Sequence, residues 1–269
     1  MRSTFEKIGV PLQDLEALVI RFLRDLNRGI IARNISMAQL EESLNQLLKE
    51  PLSNKKSVIQ LLDQALEHRA RTIFTQVKED ILGSGGKTLD FGAGDGQVTQ
   101  LLKQAGADIE GFDVAGYQAS NVDRGLVAQF DGDSVPRDDE HYDTILVTNV
   151  FHHELNNQKC LDECYRLLKP GGTMVVIETV PQRDTPEEWD RTYWNDWFYN
   201  RPFHPGVPIP VPGTYETPQG WIDRFKKIGL EMTSHEDQGV DIPVIQDRHY
   251  RFVLKKPETA NSQVDKVLK

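Results

Sequence analysis

From Lys87 onward, short apolar segments of strand length alternate with amphipathic segments of helix length. The segments "KTLDF", "ADIEGFDV", "LVAQFD", "YDTILVTNV" and "TMVVIETV" have strand character, whereas "VTQLLKQAG" and "NQKCLDECYRLLK" have helix spacing. A near-continuous apolar strand such as "YDTILVTNV" is typical of a parallel sheet that is covered on both faces. The alternation therefore predicts an α/β fold with a doubly wound sheet.

The first 82 residues have a different texture, with apolar residues at helix spacing in three successive segments. Such amphipathic helices need a surface to pack on. We therefore divide the chain into a helical N-terminal extension (1–82), a core domain (83–258) and a polar, flexible tail (259–269). Three roles for the extension stay open: a lid over a bound ligand, a homodimer contact, or a docking surface for a partner.

Charge and composition restrict the classes of partner. The chain has 269 residues and a formal net charge of −10, which disfavours a nucleic-acid partner because nucleic-acid binding needs a basic face. No signal peptide and no apolar run of about eighteen residues is visible, so we expect no membrane association. Cys160 and Cys164 are the only cysteines and share one helix face, which fits a reducing, cytoplasmic location.

The stretch "DFGAGDG", residues 90–96, joins the first strand to the helix that follows it. A phosphate-binding P-loop needs Lys and Ser or Thr after its last glycine, and here Gln97 and Val98 follow. A dinucleotide loop has the spacing G-x-G-x-x-G, whereas this one has G-x-G-x-G. Asp90, two residues before the first glycine, would repel a pyrophosphate and would suit a ligand with an ammonium group.

A second acid, Asp113, ends the next strand. A carboxylate at this point can accept hydrogen bonds from both hydroxyls of a ribose. Together the two acids describe a ligand that has an adenosine-like sugar and a cation but no phosphate. S-adenosyl-L-methionine (SAM) has all three features.

Five segments in order resemble the class I, Rossmann-like SAM-dependent methyltransferases that act on small molecules. They are the loop 90–96, Asp113, "DGDSVPRDDEHYDTI", "VTNVFHHE" and "CYRLLKPGG". The resemblance covers about Lys87 to Val180 and resumes over 218–256. It implies a seven-stranded sheet whose last strand runs antiparallel, and SAM as the cofactor.

The resemblance also implies roles for individual residues. The methionine part of SAM would lie across the glycines, Val114 would pack on the adenine, and the backbone near Asn149 would close the site. Asp131 would face the adenine amino group, with Asp133 as the alternative acid. The expected cofactor-binding residues are Asp90, Gly92, Gly94, Gly96, Asp113, Val114, Asp131 and Asn149.

His152 and His153 follow the predicted fourth strand and are the candidate catalytic residues. In the family that the chain resembles, a histidine here often borders the acceptor pocket, and its ordinary pKa suits a general base near neutral pH. The alternative is that one or both only hold the loop by hydrogen bonds. We expect no metal, because adjacent histidines point in different directions and no second cluster of ligand spacing is visible.

Residues 181–217 interrupt the strand–helix alternation with many aromatic residues and then five prolines. The prolines predict a stiff loop rather than a helix, and its position after the fifth strand predicts a cap that lines the acceptor pocket and excludes water. Arg201 is suited to hold a carboxylate. The candidate substrate-binding residues are Tyr193, Trp197, Arg201 and His204.

The sequence therefore predicts a SAM-dependent methyltransferase that acts on an oxygen, nitrogen or carbon nucleophile of a small, partly hydrophobic molecule, such as a secondary metabolite. One alternative is a protein, peptide or carrier-bound acceptor docked by the N-terminal helices. Another is a SAM-binding interaction protein without catalysis. The intact acids and glycines argue against the last alternative, because such a protein is free to lose them.

Overall fold

The computed structural model describes residues 55–116, 118–119, 121–200, 209–240 and 248–258, with the backbone alone for residues 55–66, 194 and 197–199. The chain divides into two compact units. One comprises residues 70–180, 212–239 and 248–269, and we call it the sheet unit. The other comprises residues 1–69, 181–211 and 240–247. The predictions for most of the N-terminal extension and for the tail lie outside the described residues.

Helices and strands alternate along the described chain, as the hydrophobic pattern predicts. The first elements are helix α1 (Lys55–Ser84), strand β1 (Lys87–Phe91), helix α2 (Gln97–Gln104), strand β2 (Asp108–Asp113) and strand β3 (Val127–Gln129). Then come strand β4 (Tyr142–Thr148), a 3-10 turn (Phe151–His153), helix α3 (Asn157–Leu167) and strand β5 (Leu168–Val180). The last are helix α4 (Pro186–Asn200), helix α5 (Pro218–Lys227), strand β6 (Glu231–Val240) and strand β7 (Arg248–Lys255).

The seven strands form one sheet in the order β3-β2-β1-β4-β5-β7-β6. The first five strands of that order pair in parallel, and β7 pairs antiparallel with β5. The predicted seven-stranded sheet with an antiparallel last strand is confirmed. Because the strand order reverses beside β1, the carboxyl ends of β1, β2 and β4 meet where open α/β sheets bind their ligands.

The sheet is covered on both faces, which explains the unbroken apolar runs in its central strands. Successive residues of β4 alternate between two cores, since Ile145 and Val147 belong to one and Leu146 to the other. Helices α3 and α5 supply the first core, through residues that include Leu161, Leu167, Trp221, Ile222 and Phe225. Helices α1 and α2 supply the second, through Ile73, Val77, Ile81 and Leu102.

Helix α1 carries part of that second core, so the sheet unit begins earlier than the predicted domain boundary at residue 82. Its residues from Ala70 onward belong to the sheet unit, and Val77 is completely buried there. An amphipathic pattern shows that a helix packs on something without showing on what. The sequence alone therefore did not reveal that the last three turns of this helix cover the sheet.

The structure of the aromatic stretch differs from the expected loop. Residues 186–200 form helix α4, whereas the sequence analysis predicted a loop. The helix begins at Pro186, where a missing N–H is tolerated, and it ends before Pro202. All five prolines follow Asn200 in the sequence, so none of them lies within the helix. None of the described helices is both long and apolar enough to cross a membrane.

Candidate cofactor site

The loop from Gly92 to Gly96 connects β1 to α2. Its three glycines are required by different combinations of backbone conformation and close packing. All three adopt positive φ, 72° at Gly92, 56° at Gly94 and 81° at Gly96. A Cβ on Gly92 would lie 2.3 Å from a methyl carbon of Val150, and one on Gly96 would lie 2.9 Å from methyl carbons of two valines. A Cβ on Gly94 would meet nothing within 4 Å. Position 94 therefore requires glycine because of its backbone conformation alone. Position 92 requires it also because a side chain would collide with Val150.

Asp90 lies at the base of this loop and is 1% exposed. Its Oδ2 accepts a hydrogen bond of 2.6 Å from Thr99 Oγ1 on helix α2. Burial raises the pKa of the carboxyl to about 7, against the lowering effect of the Thr99 hydroxyl, and the charges of Asp113 and Asp95 add to the rise. Its Oδ1 is buried and has no hydrogen-bond partner among the described residues. A buried acceptor without a donor is suited to a cationic ligand group.

Asp113 ends β2 and holds the loops around it. Its Oδ2 accepts a hydrogen bond of 2.8 Å from the Gly94 amide, and its Oδ1 accepts one of 2.7 Å from the Ala115 amide. Both carboxylate oxygens of Asp113 therefore take part in holding backbone amides. The predicted ribose role stays a prediction, and the structure adds that this carboxylate orients the middle of the glycine loop.

Asp131 and Val114, the residues expected near the adenine, both lie at the surface. Asp131 Oδ1 accepts hydrogen bonds from the amides of Asp133 and Ser134 at 2.8 and 3.1 Å. The two backbone donors lower the pKa of Asp131. Asp133 instead forms an ion pair with Lys159 on helix α3. Val114 is 44% exposed, so its side chain is accessible to a ligand, and its packing on the adenine stays a prediction.

The loop after β4 begins at Asn149, which adopts a positive φ of 55°. Asparagine tolerates this conformation better than most residues. Its amide donates to the Ile177 carbonyl at 2.7 Å, and its Oδ1 accepts from Thr179 Oγ1 at 3.0 Å. Strand β5 thus fixes the turn that places the Val150 side chain where a Cβ on Gly92 would lie. The expected role of the Asn149 backbone, to close the cofactor site, stays a prediction.

The two candidate catalytic histidines have different environments. His152 is 1% exposed, and its Nδ1 lies 2.5 Å from Oε2 of the fully buried Glu178 on β5. His153 is half-buried, and the two imidazole rings lie 4.2 Å apart. The 3-10 turn therefore directs one ring into the protein and leaves the other partly accessible. Neither catalytic assignment is tested by these positions.

A second segment of the sheet unit holds the same turn. Thr214 Oγ1 contacts the carbonyl oxygens of His152 and Glu154 at 3.0 and 2.8 Å. The ring of the neighbouring Tyr215 stacks on the His152 ring at 5.2 Å. Because these contacts come from 62 residues further along the chain, no local pattern predicted them.

The candidate substrate-binding residues lie in the other unit, and the structure describes them unevenly. Tyr193 is half-buried on helix α4. Trp197 lies on the same helix, where only its backbone is described. Arg201 and His204 lie outside the described residues. The substrate-binding assignment of these four residues therefore stays a prediction.

Sequence reasoning did not identify Glu178, Thr99, Thr179 or Thr214 as site residues. Glu178 carried a signal, because it is the single charged residue within the apolar run "TMVVIETV" and a buried acid needs a local partner. The three threonines carried none, since threonine is an ordinary strand and loop residue whose hydroxyl does not by itself indicate a partner. Their contacts depend on which strands are neighbours.

Taken together, the residues fit SAM. Beside the glycine loop lie Asp90, with one buried oxygen that has no donor among the residues described, and Asp113 at the end of the neighbouring strand. The glycines leave their backbone open to a ligand. The described loop carries no basic side chain of the kind that binds a pyrophosphate. A Rossmann-like sheet with this site defines a class I SAM-binding protein.

Comparison with known proteins identifies the family. A family model described as a methyltransferase domain matches residues 62–235, well over half of the chain. The chain therefore belongs to the methyltransferase domain family of class I enzymes, and its cofactor is SAM. The resemblance predicted from five motifs is confirmed.

Similarity to curated relatives is confined to part of the chain. A demethylmenaquinone methyltransferase of Thermus thermophilus is 31% identical over 105 residues, which cover 35% of this chain and 48% of that protein. A sarcosine/dimethylglycine N-methyltransferase of Aphanothece halophytica is 29% identical over 115 residues, which cover 39% and 42%. The chain thus spans less than half the length of these relatives, and their acceptors differ from each other.

Solved structures support the fold. The crystal structure of the [4+2]-cyclase SpnF superposes with a TM-score of 0.51 at 18% identity, over 70% of this chain and 81% of that one. At this identity the likeness concerns the fold alone.

Proposed function

We propose that this protein is a SAM-dependent methyltransferase that methylates an oxygen, nitrogen or carbon nucleophile of a small, partly hydrophobic metabolite. SAM supplies a methyl group on a sulfonium cation, which makes that carbon electrophilic. The task of the protein is to hold the acceptor atom in line with the methyl group and to exclude water.

One observation carries the proposal: the glycine loop packs on Val150 and is held by Asp113, with Asp90 buried beneath it. This arrangement is energetically costly without a ligand, because Asp90 is desolvated and one of its oxygens has no donor within the described part of the chain. Three acids near the loop favour a cationic ligand over a phosphate. A catalytic protein, in contrast to a non-catalytic relative, has reason to retain every one of these features.

The small-molecule acceptor is supported by the relatives. The curated names include enzymes for demethylmenaquinone and for sarcosine or dimethylglycine, all small acceptors. The net charge of −10 disfavours a polyanionic acceptor. The aromatic content of residues 189–203 favours an acceptor with an apolar part, such as a ring or a hydrocarbon chain.

The residues needed for methyl transfer depend on whether the acceptor group must lose a proton. A hydroxyl or a carbon acid loses a proton on methylation, and His152 or His153 would accept it. A carboxylate needs no base, and Arg201 would orient it. A protein or carrier-bound acceptor remains the second candidate, because the amphipathic helices predicted from the sequence of residues 1–82 would offer a docking surface. A homodimer through the same helices is the corresponding proposal for assembly.

Two measurements test the proposal in order. Calorimetric titration with S-adenosylhomocysteine should give a dissociation constant in the micromolar range, about −8 kcal/mol. Purified protein with radiolabelled SAM is then presented with naphthoquinols, methylated glycines and phenols, with and without residues 1–54. Methyl transfer to a free acceptor that persists after the truncation would support the small-molecule function. Binding of S-adenosylhomocysteine without methyl transfer to any acceptor class would favour the non-catalytic alternative.

A further inference from the structure

We propose that Glu178 is a positioning residue of the cofactor site, which fixes the loop after β4 against the glycine loop and orients the His152 imidazole. This inference rests on the proposed function, because it assigns Glu178 a role in binding SAM. It concerns a residue that the five sequence motifs do not include.

The first argument is the burial of the carboxylate. Glu178 is 0% exposed, and a carboxylate removed from water is strongly destabilising unless donors surround it. It lies on β5 opposite Tyr250 of β7, between the buried residues Ile177 and Thr179. A position that needs only packing would take a valine or an isoleucine, as at 175, 176 and 177 of the same strand. The acid is therefore retained for its hydrogen bonds.

The second argument is where those hydrogen bonds go. Oε1 accepts from the amides of Val150 and Phe151 at 3.0 and 2.8 Å, and Oε2 contacts His152 Nδ1 at 2.5 Å. One side chain thus holds three consecutive residues of the loop. Hydrogen bonds to an ionised acceptor are shorter and stronger than neutral ones. No neutral side chain of similar size offers two acceptor oxygens at this spacing.

The third argument connects this loop to the cofactor. Val150, whose amide Glu178 holds, packs against Gly92 so closely that no Cβ fits between them. Next to Glu178, Thr179 holds the side chain of Asn149, the residue with positive φ that starts the loop. A shift of this loop by a few tenths of an ångström would therefore change the shape of the glycine loop.

The fourth argument concerns the histidine. Glu178 already accepts from the amides of Val150 and Phe151, and a carboxylate can only accept, so we assign the proton of the third contact to His152 Nδ1. In the neutral imidazole, Nε2 is then the basic nitrogen. Glu178 thereby decides the tautomer of His152 as well as its orientation.

The test combines affinity with a spectroscopic signature, and neither needs a known acceptor. Affinity for S-adenosylhomocysteine is measured by calorimetry on the wild type and on Glu178→Gln. We expect the variant to bind about tenfold more weakly, because a neutral amide offers one acceptor where the carboxylate offers two. The matched control is Asp143→Asn, which removes a carboxylate that accepts from Lys87 N and Lys169 Nζ at the other end of β4. The control should bind within twofold of the wild type.

Nitrogen-15 NMR of labelled histidines supplies the signature. The His152 signal is assigned by its loss in His152→Gln, and we expect the Nδ1–H form in the wild type and a changed pattern in Glu178→Gln. If the neutral His152 of the wild type carries its proton on Nε2, the proposal that Glu178 orients this imidazole is wrong. Equal affinity in folded Glu178→Gln and wild type would overturn the positioning role while leaving the proposed function intact.

Two further outcomes remain decisive. If Glu178→Gln fails to fold, as judged by lost amide dispersion, His152→Gln takes its place, since it removes one donor and keeps the other two. We then expect severalfold weaker binding, and unchanged binding would overturn the inference. If the wild type itself does not bind S-adenosylhomocysteine, the proposed function fails, and that failure is recognised because it precedes any substitution.

Discussion

At the scale of the residue, the buried carboxyl of Asp90 makes stability depend on pH. Its pKa is raised to about 7 in the folded protein from an ordinary value of 3.8, so between these values the folded state binds more protons than the unfolded state. The contribution of Asp90 is therefore most favourable below pH 4 and is lost as pH rises through 7. Because the pKa rises from 3.8 to about 7, the free energy of unfolding lost over this pH range is on the order of 4 kcal/mol.

Replacing Asp90 with asparagine should remove this dependence. The amide oxygen keeps an acceptor for Thr99, and the group no longer titrates. The free energy of unfolding is measured in urea for Asp90→Asn and the wild type at pH 5 and pH 8. Between these pH values the wild type should lose several kcal/mol relative to the variant. A difference that stays constant across this range would show that Asp90 does not titrate in it.

Asp113 calls for a ligand comparison, because Asp113→Ala would also remove the acceptor for the Gly94 amide. We expect S-adenosylhomocysteine to bind the wild type more tightly than its 2′,3′-dideoxy analogue by about 1.5–3 kcal/mol, the usual worth of hydrogen bonds to a charged group. In Asp113→Asn this gap should shrink. Equal gaps in both proteins, measured by calorimetry, would mean that the ribose hydroxyls bind elsewhere and that Asp113 only shapes the loop.

At the scale of the element, the turn from β1 into α2 depends on its contact with the loop after β4. Gly92→Ala should destabilise the protein strongly, because it combines a positive φ with a Cβ 2.3 Å from Val150. Gly94→Ala should cost only about 1–2 kcal/mol, since its Cβ would be in open space and the backbone strain alone remains.

Thermal unfolding of these two variants measures the difference, and Gly83→Ala serves as the control because its Cβ would meet nothing and its φ is not positive. Adding Val150→Ala to Gly92→Ala should recover part of the loss by making room for the new methyl group. Failure of that rescue would indicate that the backbone conformation, and not the packing, makes glycine necessary at 92.

At the scale of the whole molecule, cofactor binding should appear as stabilisation. A ligand that binds the folded state at 100 times its dissociation constant adds about 2.7 kcal/mol. For a chain of this size that corresponds to a rise in melting temperature of roughly 5–10 °C. Scanning calorimetry with S-adenosylhomocysteine should show this rise, and Asp90→Asn should show a smaller one because the charge facing the ligand is lost. ATP, which has the adenosine and a polyphosphate, should produce no comparable rise.

The sequence by itself determined the order of strands and helices, the loop, and the acids that suit SAM. These features are local, because the glycine spacing and the apolar period are properties of consecutive residues. The cap shows where a prediction from local sequence fails. The five prolines after residue 200 led us to predict a loop, but residues 186–200 form a helix. Clustered prolines mark where a helix ends and carry no information about the turns before them.

Only the tertiary structure decided which residues support the site. Glu178 and Thr214 reach the turn at His152 from residues 26 and 62 positions away, and α1 covers the sheet with its last turns. Such contacts exist because β4 and β5 are neighbours and the chain returns across them, which no window of sequence contains. The physical reason is that a buried carboxylate is stabilised by whichever donors the fold brings to it, and its partners are fixed by strand order rather than by distance along the chain.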